Sequence, residues 1–243
     1  MNLRSLGISS AICAATLLIA GCRDIPATRE PVTQRPDQVS SFAALYQQNC
    51  AACHGESGKN GGAISLANPV YLAVAGPDMI QRAMAKGARG TMMPAFARSQ
   101  GGMLTDKQIA ILAQGVESAW AKPATLQGQS VPAYASSSPG DSIQGQQAFG
   151  TFCASCHGSD GAGIKQQQRP TGSLVDPAYL ALISDQGLRS LIIAGQPQDG
   201  MPDWRSDLTG TAARAMTDEE ITDIVAWLAS HRVAAPGQPY VHP

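Results

Sequence analysis

Two short segments of the chain each place a pair of cysteines three residues apart and follow the second cysteine directly with a histidine. They are Cys50-Ala51-Ala52-Cys53-His54 and Cys153-Ala154-Ser155-Cys156-His157. Thiols at this spacing can add to the two vinyl groups of one porphyrin, and the adjacent imidazole can then ligate its iron. The sequence therefore predicts two covalently attached c-type haems, with His54 and His157 as iron ligands.

Cysteine pairs also form disulfides, zinc sites and redox dithiols. A shared zinc site is typical of pairs about 15–20 residues apart, whereas these pairs are 103 residues apart. A redox dithiol is expected beside a strand–helix–strand unit, which the sequence does not indicate. A pairing of the cysteines in disulfides leaves both histidines without a role. Haem attachment is therefore the favoured interpretation.

A haem iron that only shuttles electrons needs a second axial ligand, and in many cytochromes this is a methionine thioether. One Met-Pro pair follows each haem motif, Met93-Pro94 in the first half and Met201-Pro202 in the second. Both pairs lie in loop-like stretches and not on an apolar helix face. We predict Met93 and Met201 as the second ligands, with Met92 as the alternative in the first half.

The two motifs belong to a longer internal repeat. Residues 65–73 (SLANPVYLA) match residues 173–181 (SLVDPAYLA), and residues 104–109 (LTDKQI) match residues 216–221 (MTDEEI). The offset between the copies grows from 103 to 108 and then to 112 residues, which indicates loop insertions in the second copy. Repetition over this length predicts two related domains.

Helices are predicted to position these residues. Thr217 precedes three acidic residues and then apolar residues spaced three and four apart, which predicts a capped helix. The matching helix runs from about Thr105 to Trp120, and no stretch alternates long enough to indicate a sheet. The predicted all-α chain comprises a signal peptide (1–21), a tether (22–38), domain 1 (39–121), a Pro/Ser-rich linker (122–141), domain 2 (142–233) and a tail (234–243).

The first residues have the organisation of an export signal, with Arg4 ahead of an apolar stretch that ends just before Cys22. The segment Ile19-Ala20-Gly21-Cys22 resembles the lipobox of bacterial lipoproteins, in which the cysteine is acylated and becomes the first mature residue. We therefore expect a lipid on Cys22 and a location on the periplasmic side of a bacterial membrane, inner or outer. A soluble secreted protein cleaved near this cysteine is the alternative.

The haem motif, the later Met-Pro pair and the closing helix together resemble class I cytochrome c, twice over residues 39–232. The resemblance implies two helical domains, each wrapped around a haem with covalent thioether bonds and His/Met ligation. It assigns Cys50, Cys53, His54 and Met93 to one haem, and Cys153, Cys156, His157 and Met201 to the other.

In folds of this family the first and last helices cross closely, commonly with a glycine on the first and an aromatic residue on the last. The second half offers Gly145 and Trp227 for this crossing, whereas the first half offers Phe42 and Gly115 at the equivalent positions. The large and small residues are exchanged between the helices. We therefore predict that Phe42 packs on Gly115 as Trp227 packs on Gly145, which keeps the total volume.

Electron transfer without bond chemistry is the predicted function, because both axial positions of each iron are filled. Net charge is −1 without a run of Lys or Arg, which argues against nucleic acid as a partner. The expected donor is a quinol-oxidising complex or a dehydrogenase, and the expected acceptor a terminal oxidase or photosynthetic reaction centre. The alternatives are a haem subunit of a larger oxidoreductase, and a di-haem peroxidase or thiosulfate-oxidising enzyme in which one iron lacks methionine.

Overall fold

A computed structural model describes residues 34–165, 170–205 and 214–233. The predicted signal peptide, Cys22, most of the tether and the tail from residue 234 lie outside the described residues. From Asp37 onward the described residues belong to one compact unit. Within the described ranges no helix is both long and apolar enough to cross a membrane.

The described residues form ten α-helices and no β-strand, in agreement with the predicted all-α class. In the first domain the helices are α1 (Phe42–Asn49), α2 (Ala51–His54), α3 (Pro69–Ala75), α4 (Pro77–Lys86) and α5 (Asp106–Trp120). In the second domain they are α6 (Ser142–Phe152), α7 (Ala154–His157), α8 (Pro177–Leu182), α9 (Asp185–Ala194) and α10 (Asp218–Ser230).

The last helix of each domain begins at the residue that the sequence predicts. The Thr105 hydroxyl accepts a hydrogen bond from the Gln108 backbone N–H, and the Gln108 side chain accepts one from the Thr105 N–H. Thr217 and Glu220 form the same reciprocal pair at the start of α10. Each capping box satisfies two backbone donors that the helix itself leaves unpaired, so both starts are encoded locally.

The first and last helices of the second domain touch through their backbones. A Cβ added to Gly145 on α6 would lie 1.9 Å from the Asp223 carbonyl oxygen and 2.9 Å from the Trp227 Cβ on α10. The Trp227 ring then covers Phe149, with ring centroids 4.3 Å apart. The predicted contact between Gly145 and Trp227 is therefore confirmed.

The first domain makes the same crossing with the residue sizes exchanged. The Phe42 ring on α1 lies 2.0 Å from where a Gly115 Cβ would stand on α5, so the predicted contact between these two residues is confirmed as well. With Phe42 at the crossing, the tryptophan of the last helix lies further along, at Trp120.

Trp120 occupies the environment that Trp227 occupies in the other domain. Its ring lies edge-on to Tyr46, with centroids 5.3 Å apart, and 2.9 Å from where a Gly58 Cβ would stand. Tyr46 and Gly58 are the repeat equivalents of Phe149 and Gly161, against which the Trp227 ring packs. Sequence alignment of the repeat misses this equivalence because the two tryptophans stand at different helix positions.

The Pro/Ser-rich segment between the domains is attached to the second domain by polar contacts that include the buried Arg189. The Ala133 carbonyl accepts hydrogen bonds from Arg189 Nε (3.0 Å) and Nη2 (2.8 Å), and the Ala133 N–H donates to Asp218. Arg189 is 2% exposed and also contacts Asp218 and Thr222. A buried guanidinium needs acceptors for its N–H groups, and the linker backbone supplies part of them.

Two glycines of α6 provide a matched test of the helix crossing. Gly145→Ala is expected to lower the free energy of unfolding by about 2 kcal/mol or more, because its methyl group overlaps the Asp223 carbonyl. The methyl group of Gly150→Ala would meet nothing within 4 Å. This substitution is expected to raise the free energy of unfolding by about 0.5–1 kcal/mol, because alanine has the higher helix propensity. Denaturant unfolding of the haem-loaded protein measures both, and equal effects of the two substitutions would contradict the crossing.

Candidate haem sites

In the first domain one helical turn carries both thiols and the imidazole. The Cys50 N–H donates to the Tyr46 carbonyl at 2.8 Å, so α1 runs directly into the motif. The N–H groups of Cys53 and His54 both donate to the Cys50 carbonyl, at 3.2 and 3.0 Å. This turn presents the three groups together, as attachment to a single porphyrin requires.

The turn in the second domain has the same backbone hydrogen bonds. The Cys153 N–H donates to the Phe149 carbonyl at 2.8 Å, and the N–H groups of Cys156 and His157 donate to the Cys153 carbonyl at 3.1 and 3.0 Å. The predicted attachment residues are therefore brought together in each half of the chain.

All four motif cysteines are free thiols in the structure. Burial, with a smaller contribution from Cys53, raises the pKa of Cys50 to about 11. Burial and then Cys156 raise the pKa of Cys153 to about 12. Redox-active dithiols have lowered pKa values because they react as thiolates. The raised pKa values of Cys50 and Cys153 therefore argue against a role in thiol–disulfide exchange.

His54 is buried and held by a backbone carbonyl. Its Nδ1 lies 2.8 Å from the Ile64 carbonyl oxygen, and a carbonyl can only accept, so Nδ1 carries the proton. Burial lowers the pKa of His54, and the hydrogen bond to Ile64 partly offsets this effect. The ring is therefore a neutral imidazole with Nε2 free to ligate a metal.

His157 has the same position in its turn but a different Nδ1 environment. Burial lowers its pKa, so this imidazole is also neutral at physiological pH. Its Nδ1 is buried and meets no hydrogen-bond partner within the part of the chain that the structure describes. Among the described residues, a backbone carbonyl that orients the ring is therefore seen for His54 and not for His157.

The two methionines of the first domain differ in burial. Met92 is 80% exposed, whereas Met93 is half-buried and packs against the core. The loop that carries Met93 closes onto Gly87 at the end of α4, where a Cβ would lie 2.8 Å from the Met93 carbonyl oxygen. The Ala88 N–H also donates to this carbonyl, at 3.1 Å. Close approach to the helix end therefore positions the Met93 backbone.

The loop of Met201 closes in the same way. Gln196 and Met201 exchange backbone hydrogen bonds of 2.9 and 3.1 Å, and a Cβ on Gly195 would lie 2.4 Å from the Pro202 carbonyl oxygen. Gly87 and Gly195 both have positive φ, +73° and +65°. Sequence reasoning overlooked these glycines, although they stand 108 residues apart, at the offset of the Met-Pro pairs.

The residues present fit covalently bound haem. Each half offers two thiols and a neutral imidazole on one turn, followed by a methionine loop closed against the end of a helix. Across the described residues, no group of three His, Cys, Asp or Glu side chains forms a competing metal-ion site.

Comparison with known families defines the class of protein. Residues 142–232 match the family described as cytochrome c, and residues 37–114 match the family of cbb3-type cytochrome c oxidase subunit III. The chain is therefore a tandem cytochrome c protein, with one cytochrome c domain in each half. It is an electron-carrying haem cytochrome, and its cofactors are two covalently bound haem c groups.

Curated relatives carry a more specific name. The chain is 31% identical over 176 residues to the cbb3-type cytochrome c oxidase subunit FixP of Sinorhizobium medicae, covering 68% of this chain and 54% of the relative. It is 27% identical over 189 residues to the subunit FixPc of Rhizobium leguminosarum bv. viciae, covering 74% and 58%. The chain thus spans little more than half the length of these relatives.

The match to one solved structure covers most of both chains. It is a reducing HAO-like protein complex of Kuenenia stuttgartiensis, 16% identical to this chain, with a TM-score of 0.40. The match covers 79% of this chain and 96% of that one.

The glycines at the two ends of α4 test the closure of the methionine loop. Gly76 and Gly87 share a φ of +73°, but a Cβ on Gly76 meets nothing within 4 Å. Gly87→Ala is therefore expected to lower the free energy of unfolding by about 1–3 kcal/mol more than Gly76→Ala, because it adds a clash to the same backbone strain. Denaturant unfolding of the haem-loaded protein measures the difference, and indistinguishable variants would argue against this closure.

Proposed function

We propose that this chain is a non-catalytic electron-transfer subunit that delivers electrons to a terminal oxidase of the cbb3 type. The observation that carries the proposal is the doubled site, in which each domain pairs a thiol–imidazole turn with a closed methionine loop. The curated relatives named as subunits of such an oxidase support the acceptor.

The side chains have the following proposed roles. Cys50 and Cys53 would attach the first haem, and His54 and Met93 would ligate its iron; Cys153 and Cys156 would attach the second, and His157 and Met201 would ligate its iron. Haem bound in this way would supply reversible one-electron chemistry and would leave no ligand position for a substrate.

The protein's own contribution is to orient the ligands and to keep water away from them. The Ile64 carbonyl holds the His54 ring so that Nε2 faces away from it, and burial keeps this imidazole neutral. Met93 packs against the same core. Ligands held in a preformed low-dielectric site need to move little when the oxidation state changes.

Membrane confinement completes the proposal. A lipid on Cys22 would hold the chain on the periplasmic side of a bacterial membrane, where a quinol-oxidising complex or a dehydrogenase supplies electrons. Tethering donor, carrier and acceptor to one surface raises their effective concentration.

Methionine variants test the ligand set. The wild-type protein is expected to contain two haems per chain by pyridine haemochrome assay and to show methionine–iron absorption in the near infrared. Neither haem is expected to bind carbon monoxide. Met93→Ala and Met201→Ala are each expected to make one haem reactive to carbon monoxide, because an axial position opens. Met92→Ala is the matched control and should change neither property. A wild-type haem that binds carbon monoxide would favour an enzyme instead.

Membrane fractionation tests the acceptor and the anchor together. The wild-type protein is expected to sediment with membranes and, once reduced, to be reoxidised by membranes that contain a cbb3-type oxidase. Membranes from cells without that oxidase should reoxidise it at least about tenfold more slowly. Cells supplied with labelled palmitate should label the wild-type protein but not Cys22→Ser, because no acyl chain can be attached to that variant. Equal reoxidation by both membranes would overturn the proposed acceptor, and a wild-type protein without label would overturn the proposed anchor.

A further inference from the structure

Asn68 of the first domain joins two helices that belong to different domains. It is 4% exposed, and it stands between the N-terminus of α3 and the C-terminus of α9. Its Oδ1 accepts from the N–H groups of Val70 (2.9 Å) and Tyr71 (3.2 Å). Its Nδ2 donates to the carbonyls of Ala194 (2.9 Å) and Gly195 (3.2 Å) in the second domain. Every hydrogen-bonding position of the amide is used.

The equivalent residue of the other repeat separates the role of the Asn68 amide oxygen from that of its N–H groups. Asp176 occupies the equivalent position before α8, where it is exposed and caps the helix by accepting from Ala178 and Tyr179, both at 2.9 Å. A carboxylate caps a helix as well as an amide does but cannot donate to a carbonyl. Capping alone therefore does not require asparagine at position 68, whereas binding the two carbonyls of α9 does.

The carbonyls that Asn68 holds stand at the start of the second methionine loop. Gly195 ends α9, with its N–H bonded to the Leu191 carbonyl at 2.8 Å. Its backbone packs against Pro202, the residue after Met201, and the next residue, Gln196, pairs with Met201. Asn68 thus fixes the backbone from which the Met201 loop departs.

A second contact attaches α3 to α9 near the other end of α9. The Tyr71 side chain of α3 and the Tyr134 side chain of the linker lie close enough to interact. The Tyr134 carbonyl accepts from Gln186 Nε2 at 2.7 Å, in the first turn of α9. The linker residue Tyr134 therefore lies between α3 and the first turn of α9.

We propose that Asn68 is a positioning residue that couples the two domains, so that a side chain of the first domain stabilises the Met201 site of the second. The role of Met201 in this statement rests on the proposed function. The hydrogen bonds of Asn68 do not, and they can be tested separately.

The test uses hydrogen exchange by mass spectrometry on the full haem-loaded chain. In Asn68→Asp, peptides covering residues 191–203 are expected to exchange at least about tenfold faster, because a carboxylate replaces the donor and faces two carbonyl oxygens at the negative end of α9. Peptides covering residues 69–75 should keep their protection, because the carboxylate still caps α3. Asp176→Asn is the matched control and should alter neither region.

Redox titration of the same variants provides the second readout. The haem whose signals change in Met201→Ala should shift its reduction potential in Asn68→Asp, while the other haem stays unchanged. Exchange in residues 191–203 that matches the Asp176→Asn control would overturn the coupling. Faster exchange without a change in potential would overturn the link from Asn68 to the Met201 site, whereas the ligand role of Met201 is decided separately by the carbon monoxide reactivity of Met201→Ala. If Asn68→Asp does not fold, Asn68→Ser decides, since serine caps α3 but lacks the amide donors.

Discussion

The close crossing of the first and last helix in each domain is the contact on which the haem sites depend. The first helix continues into the cysteine–histidine turn, because the first cysteine of each motif bonds back to the helix, Cys50 to Tyr46 and Cys153 to Phe149. Whatever holds that helix therefore also holds the thiols and the imidazole. Gly145 allows the backbones to touch, and such close packing restrains the helix that carries the turn.

The two domains satisfy this constraint with different residues. In the second domain a small residue on α6 meets the backbone of α10, and Trp227 fills the space beside Phe149. In the first domain Phe42 fills the crossing above Gly115, and Trp120 reaches Tyr46 from a later position on α5. Cores tolerate such exchanges when the total volume and the pattern of apolar residues are kept.

A two-haem protein benefits when its domains keep a constant separation and orientation. Here the linker is tied to α9 and α10 through Arg189 and Ala133, and Asn68 ties the first domain to the end of α9. The described part of the chain from Asp37 onward is accordingly one compact unit. The same helix, α9, leads into the Met201 loop, so restraints between the domains and restraints on a candidate ligand meet at one place.

The sequence by itself determined the haem chemistry, the duplication, the all-α class and the starts of α5 and α10. These depend on residues close together in the chain, such as two cysteines and a histidine on one turn or the Thr105–Gln108 cap. The tertiary structure alone decided the use of Trp120, the attachment of the linker by Arg189 and the bridge made by Asn68. Arg189 and Asn68 bind carbonyls 56 and 126 residues away. The sequence shows that these polar side chains need hydrogen-bond partners if they are buried. Which distant carbonyls lie within hydrogen-bonding distance depends on how the helices pack in the folded protein.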